Sequence, residues 1–338
     1  MVLNLSEQPL GHPDALELRY DGVPDSAALI DRLLARQTPH LSVHRGSASA
    51  SLAQSRPAIE DKLLLMRGLR FAFARCISLI DRALHQTSEN SLDVPNQPRS
   101  GASLLFFVPR LFAEKASDAV LKPFRRRDHW MVALRDGPGP FVPVADDGER
   151  YYADPFLQEW QGRLYLFVEE FPYAVGKGII SAAEVIGDRV LAPPVPVLER
   201  PYHLSYPFVL NDAGTMYMMP ETGANRTLEL YRAVEFPWKW ELESVLMRDA
   251  VFADSTPFFY QGRWWLFTMC DAHGTATQDE LFIFHADKLS GPWLPHAGNP
   301  LKSDCQSSRS AGRIIEQDGR LFRPAQDCEE SYWRVWCG

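Results

Sequence analysis

The chain of 338 residues has little of what would place it quickly. Positive charge is not in surplus. The 35 Lys and Arg against 43 Asp and Glu leave a formal charge of −8, which argues against nucleic acid or anionic membrane as partners. The one basic run, Arg125-Arg126-Arg127, lacks a glycine-rich loop and reads as a solvated turn. Apolar runs are too short or too polar to span a bilayer; the most apolar stretch, residues 63–80, holds Arg67, Arg70 and Arg75. Residues 1–19 show neither a basic n-region nor an apolar h-region, so no secretory signal is visible and a cytoplasmic chain is expected. Five cysteines, an odd number at irregular spacing, exclude a disulfide framework. Cys270 and His273 could supply two metal ligands, but no second close pair follows, so no metal or other cofactor is expected.

What the chain does have is a repeat. YADPFLQEWQGRLYLFVEE (152–170) is echoed by SYPFVLNDAGTMYMMPET (205–222), by ADSTPFFYQGRWWLFTMCD (253–271) and more weakly by AGRIIEQDGRLFRPAQD (311–327). The turn glycines Gly162, Gly214, Gly262 and Gly319 lie 52, 48 and 57 residues apart. A period near 50 built of short apolar strands and tight turns predicts β-propeller blades. Glycine at the second turn position permits the positive φ that two-residue hairpins need. Third strands are expected at 178–185, 226–233 and 280–287, and outer strands at 196–199, 238–246 and 291–296. The blades start near 151, 203, 251 and 308. Residues 128–136 and 141–144 are spare strands that fit the outer half of a closing blade. The ring is therefore expected to be incomplete, and the ending SYWRVWCG reads as a truncation.

Before the repeat the texture changes. Residues 1–85 read as a small α/β segment: a strand and turn at 16–22, a helix over 25–36 opened by Asp25 or Ser26, a strand at Leu41–Arg45, and a long helix over 57–84 starting at Pro57. Its apolar positions Leu65, Leu69, Phe73, Ile77, Ile80 and Leu84 predict one packed face, and Glu60 and Asp61 suit its positive end. The polar stretch 86–103 reads as a linker, and strands dominate from 104 to 338.

Chemistry enters through hairpin register. Counting outward from the turns pairs Asp154 with Glu169, Tyr206 with Glu221, Asp254 with Met269 and Ala311 with Gln326. All lie at one end of their hairpins, which in a propeller surrounds one mouth of the central channel. Asp154, Glu221 and Asp254, with Glu169 or Glu170 beside them, are thus expected to be neighbours. Gathered carboxylates at a channel mouth suit glycosidic bond cleavage, which needs a base or nucleophile and an acid of raised pKa. His203, Tyr206, Trp264, Trp265, Arg309 and Arg313 are expected at the same mouth, where aromatic faces and forked donors suit a sugar, with one arginine as compensating cation; Trp264 and Trp265 alternate in direction, so at least one of them reads as core between blades, and His203 reads equally as a mouth contact or a structural histidine. The competing reading is structural: Asp-Pro is a common turn, and Asp254-Ser255-Thr256 can cap backbone amides.

The matching pieces Ala153-Asp154-Pro155-Phe156, Asp254 with Pro257, and the Gly291-Pro292-Trp293 turn resemble the five-bladed propellers of the arabinanase, levansucrase and invertase superfamily, known from glycoside hydrolase families 43, 32 and 68. YADPFL…GRLYLFVEEF, SYPFV…MYMMPET and FADSTPF…GRWWLF resemble more closely the glucosamine inositolphosphorylceramide transferase N-terminal-like domain, over about residues 104–330. The resemblance implies a carbohydrate-facing propeller with Asp154 in the first-blade base or nucleophile position and Glu221 and Asp254 as the further carboxylates. The Arg-Asp-Pro triplet of family 32 is absent, and Tyr206-Pro207 stands where an acidic residue would be expected. Two functions follow: an enzyme acting on glycosidic bonds of a carbohydrate or glycoconjugate, or a non-catalytic glycan-binding propeller associated with a glycosyl- or formyltransferase. The resemblance also allows residues 1–85 to be a formyltransferase-like tail, though no catalytic motif is visible there. Oligomeric state is not legible.

Overall fold

The computed structural model describes residues 2–4, 12, 14–46, 48–59, 64–85, 107–113, 116, 129–271, 278–329 and 334–336. The arginine run 125–127, the linker 86–103, His273, and Glu60 and Asp61 at the expected helix start lie outside them.

Three antiparallel sheets carry the repeat, each laid down in chain order. The first blade runs Arg150–Trp160, Arg163–Pro172 and Ile179–Ile186, with Arg189–Val190 and Val195–Leu198 on its edge. The second runs Ser205–Asp212, Thr215–Thr222, Thr227–Glu235 and Lys239–Arg248. The third runs Phe252–Tyr260, Arg263–Cys270 and Glu280–Ala286, edged by Leu294–Pro295 and Lys302–Ser303. The fourth unit is reduced to two short ladders, Ile315–Gln317 with Arg320–Phe322 and Ala325–Asp327 with Arg334–Trp336. The fold is mainly β, a propeller of the five-bladed type, preceded by a small α/β segment.

Strands apolar on both faces explain the stacking. One face of the first blade, with Phe156, Phe167 and Ile180, packs against Phe208, Met218 and Leu230 of the second in a core that also takes Phe252 and Leu266 of the third. Its other face, with Tyr152, Leu166 and Val168, packs against Val132, Leu134 and Val144. Those residues flank the ladder Ala133–Leu134 with Val142–Pro143. The spare strands therefore pair with each other and stand where a neighbouring blade would.

The hairpin turns are as expected. Gln161 and Gly162 have φ of 51° and 74°, and Ala213–Gly214, Gln261–Gly262 and Asp318–Gly319 repeat the pattern. The register counted from them fails by one residue at the mouth. Ala153 pairs with Glu169 and Phe156 with Phe167, so Asp154 and Pro155 together oppose Val168. The same two-against-one bulge places Tyr206 and Pro207 opposite Pro220, and Asp254 and Ser255 opposite Thr268. The first bulge residue has positive φ each time: 48° at Asp154, 46° at Tyr206, 48° at Asp254. A bulge re-aims the side chain it carries. In all three blades it does so at the channel mouth.

The N-terminal segment is a four-stranded sheet, Val2–Asn4, Ala15–Tyr20, Leu41–Arg45 and Ser51–Ser55, with helices Ser26–Leu34 and Leu65–His85. Asp25 caps the first helix by accepting a bond from Ala27 N–H at 2.8 Å. The long helix departs from expectation twice. It does not begin at Pro57, because Ala58 N–H is bonded to Asp279 of the third blade and this stretch is docked there. Its packed face is also rotated: Leu65, Leu69 and Ile80 pack on the core as expected, but Ala72, Cys76, Leu79 and Ala83 are the buried positions, while Phe73, Ile77 and Leu84 are exposed. The reason is Arg75, which is 1% exposed and bonds both Asp279 (2.6 Å) and Glu280 (2.7 Å) of the third blade. No helix among the described residues is long and apolar enough to cross a membrane.

Candidate functional site

A cavity of about 530 Å³ opens at the mouth formed by the bulges. Asp154, Glu169 and Glu221 line it, with His203, Tyr206 and Arg309, and Trp130 and Tyr151 form part of its wall.

Two carboxylates of the mouth are each held by the next blade's bulge. Asp154 Oδ2 accepts from the backbone N–H of Tyr206 at 3.1 Å, and Glu221 Oε2 accepts from the N–H of Asp254 at 3.1 Å. Asp254 is tied to the fourth unit: Arg309 donates through Nε to Oδ2 (2.5 Å) and Nη2 to Oδ1 (3.3 Å), and Gln326 Nε2 donates to Oδ2 (2.7 Å). Tyr206 pins the centre. Its ring stands edge-on to Phe156, and its hydroxyl accepts from Gly312 N–H at 2.9 Å and shares a hydrogen bond with Thr256 at 2.8 Å. One tyrosine thus links three blades and the fourth unit.

Electrostatics follow from this crowding. Burial, then the charge of Asp254, pushes Asp154 up from 3.8 to about 6, against the pull of Arg309 and the Tyr206 amide. Burial and Asp254 likewise push Glu221 from 4.5 to about 8. Glu169 lies well above its usual value, through burial and then Asp154, Glu221 and Asp254. His203 Nδ1 accepts from Gly178 N–H at 2.8 Å, which leaves its proton on Nε2, 3.5 Å from Glu169. Burial lowers its pKa, so the ring stays neutral. Gly178 is required for this approach: a Cβ there would stand 2.3 Å from the Leu204 carbonyl and 2.9 Å from Glu169.

Several expected contacts lie elsewhere. Glu170 points to the opposite face of its strand, as alternation demands, and bonds Arg150 and Ser181. Arg313 lies over the rings of Phe156 and Phe208 and bonds the Val209 carbonyl, away from the carboxylates. Trp264 is core, and Trp264 and Trp265 sit at the turn end of their hairpin, far from the mouth in register. Asp254 is 2% exposed and sits behind the cavity wall. Sequence reasoning missed Gln326 as a site residue, although register had placed it at the mouth. It also missed Trp130, Tyr151 and Gly178, for which no repeat signal existed. Among the described residues no group of three His, Cys, Asp or Glu side chains is arranged to hold a metal ion.

The family model described as glucosamine inositolphosphorylceramide transferase 1, N-terminal, matches residues 142–336. The chain belongs to this family. Glucosamine inositolphosphorylceramide transferase 1 of Arabidopsis thaliana is 35% identical over 223 residues, covering 63% of this chain and 29% of the relative. That of Oryza sativa subsp. japonica is 37% identical over 188 residues, covering 54% and 25%. The chain thus spans under a third of these relatives. Among solved structures, RS223 β-xylosidase aligns with TM-score 0.45 at 16% identity, over 62% of this chain and 77% of that one. A family 117 glycoside hydrolase of Zobellia galactanivorans aligns with TM-score 0.40 at 15% identity, over 59% and 72%.

Proposed function

We propose that this family member is a carbohydrate-active propeller that acts on glycosidic bonds at the mouth cavity. The observation that carries the reading is the pair Glu221 and Asp154. Both face one cavity, both are fixed by an amide of the next blade, and their pKa values are pushed to about 8 and about 6. Near pH 7 such a pair is divided in role. Glu221 keeps its proton and can pass it to the glycosidic oxygen. Asp154 is ionised, with Oδ1 not engaged by the Tyr206 amide. It can attack the anomeric carbon or take a proton from water, depending on the separation of the two carboxyls. Asp254, committed to Arg309 and Gln326, tunes both through its charge. A sugar-facing role also agrees with the glycosyl transfer for which the curated relatives are named.

A second reading has its own support. A carboxylate that accepts a backbone amide is also a structural clamp, so the same ties suit a non-catalytic glycan-binding propeller that serves a transferase. Turnover by wild type, D154N and E221Q on a broad panel of aryl and natural glycosides separates the two. The enzyme reading expects wild-type turnover that both variants lose while still folded. Sugar binding without wild-type turnover on any member would leave the binding module.

A further inference from the structure

The long helix Leu65–His85 leaves an apolar stripe on its outer face. Arg75, held by Asp279 and Glu280, fixes which face turns inward. Met66 and Ile77 are then 77% and 71% exposed, and Phe73 and Leu84 both 48%. At 3.6 residues per turn, spacings of 7, 4 and 7 keep these four within about 40° of one another, which is the seam spacing of a coiled coil. Apolar residues scattered singly over a surface are ordinary; four in one row mark a contact. Two charges stand beside the row. Arg70 and Asp81, both exposed, lie on the same flank of it, about 40° and 60° round from Met66.

The row is symmetric about residue 75. Met66 and Leu84 are each 9 positions from it, Phe73 and Ile77 each 2, and Arg70 and Asp81 are 5 and 6. A two-fold axis crossing the helix at that level sets a second copy antiparallel to the first. Met66 then meets the partner's Leu84, and Phe73 meets the partner's Ile77. The same operation keeps each flank on its own side, so Arg70 comes level with the partner's Asp81 to within about 1.5 Å along the helix. The pair recurs on the other side of the axis. A two-fold contact needs one surface that complements itself in shape and in charge, and this face does both. A lipid surface would be met by a basic flank. Here the flank carries both signs and the chain has a net charge of −8.

We propose that two copies of this chain pair through this face, antiparallel about a two-fold axis, with Arg70 of each copy on Asp81 of the other. The contact is small: four apolar side chains from each copy and two exposed ion pairs. The dimer is therefore reversible, at the weak end of specific association. The inference is independent of what the mouth cavity binds.

Sedimentation velocity of the full chain from about 1 to about 200 µM is the test, with far-UV signal to check that each variant is folded. The expected result is a shift from monomer to dimer as concentration rises. I77E should weaken the dimer at least tenfold. R70D and D81R should each weaken it about fivefold or more, because each sets like charges together at two places. The double variant R70D with D81R exchanges the signs and should return to within twofold of wild type, which no loss of folding would mimic. A monomer over the whole range overturns the inference. So does a dimer that I77E leaves intact, which would put the interface elsewhere. A double variant no tighter than the single ones overturns the antiparallel register. Wild type that stays monomeric but floats with vesicles of phosphatidylcholine and phosphatidylserine, when I77E does not, overturns it in favour of a lipid-facing helix.

Discussion

Asp154 Oδ2 lies 3.1 Å from the backbone nitrogen of Tyr206, so the carboxyl of the first blade is anchored on the bulge of the second. Glu221 repeats the relationship with Asp254 at the same distance. The bulges of the second and third blades thus each offer an amide that fixes the preceding blade's carboxyl. The consequence is a site whose geometry depends on blade stacking, not on any one loop.

The first prediction concerns catalytic roles. E221Q should lower turnover of glycosides with poor leaving groups by about 10²–10⁴-fold, with much smaller losses on activated aryl glycosides, because only the former need proton donation. D154N should lose both. Steady-state rates on the two substrate types check this, and equal losses for E221Q on both would remove it from the acid role.

The second concerns pH. Glu221 and Asp154 hold their protons more tightly folded than unfolded, from 4.5 to about 8 and from 3.8 to about 6. The stability they contribute is full below about pH 4 and is lost as pH rises through about 6 and then 8. The slope is at most about 1.4 kcal/mol per pH unit for each proton. Urea midpoints of wild type and E221Q from pH 4.5 to 8.5 isolate the Glu221 share. E221Q should flatten the upper part of the curve and exceed wild type at pH 8; parallel curves would mean that Glu221 ionises in place without penalty.

The repeat and its turns were open to reading because glycine at the second turn position is a local steric demand, as Gly162 and Gly262 show. The bulges were hidden because Asp154, Tyr206 and Asp254 adopt positive φ without glycine, held by contacts with other blades. Alternation along their own strand, which carries no bulge, puts Glu169 on the cavity's face and Glu170 on the opposite one, a choice that counting from the turn left open. The face of the long helix was misread for a similar reason. Phe73 and Ile77 satisfy helical period, but Arg75 has its partners about 200 positions away in the third blade, and no local pattern announces them.

The third prediction uses Gly178. G178A forces a Cβ to within 2.8 Å of His203 Cε1 and 2.9 Å of Glu169 Oε1. Overpacking of this kind costs about 1–3 kcal/mol. The loss should come with weakened sugar binding, since it displaces the His203–Glu169 wall. G162A is the control: its φ of 74° brings strain of the left-handed region, but nothing lies within 4 Å and the cavity is remote in register. Thermal denaturation with sugar titration on both variants should show destabilisation in each and lost binding only in G178A.

The fourth concerns how the N-terminal segment is held. Arg75, Asp279 and Glu280 are each no more than 2% exposed, and Ala58 N–H adds a bond to Asp279. Removing the cation alone leaves two buried carboxylates without their partner, which costs about 3–5 kcal/mol. R75M should therefore destabilise strongly and loosen the long helix from the third blade. Replacing the whole group (R75M with D279N and E280Q) removes the stranded charges and should recover most of that loss. Urea unfolding followed by far-UV signal, with hydrogen exchange along residues 65–85, measures both effects. Exchange in R75M should rise in that helix before the blades open, whereas a single unchanged transition in R75M would mean that the ion pair contributes little to docking.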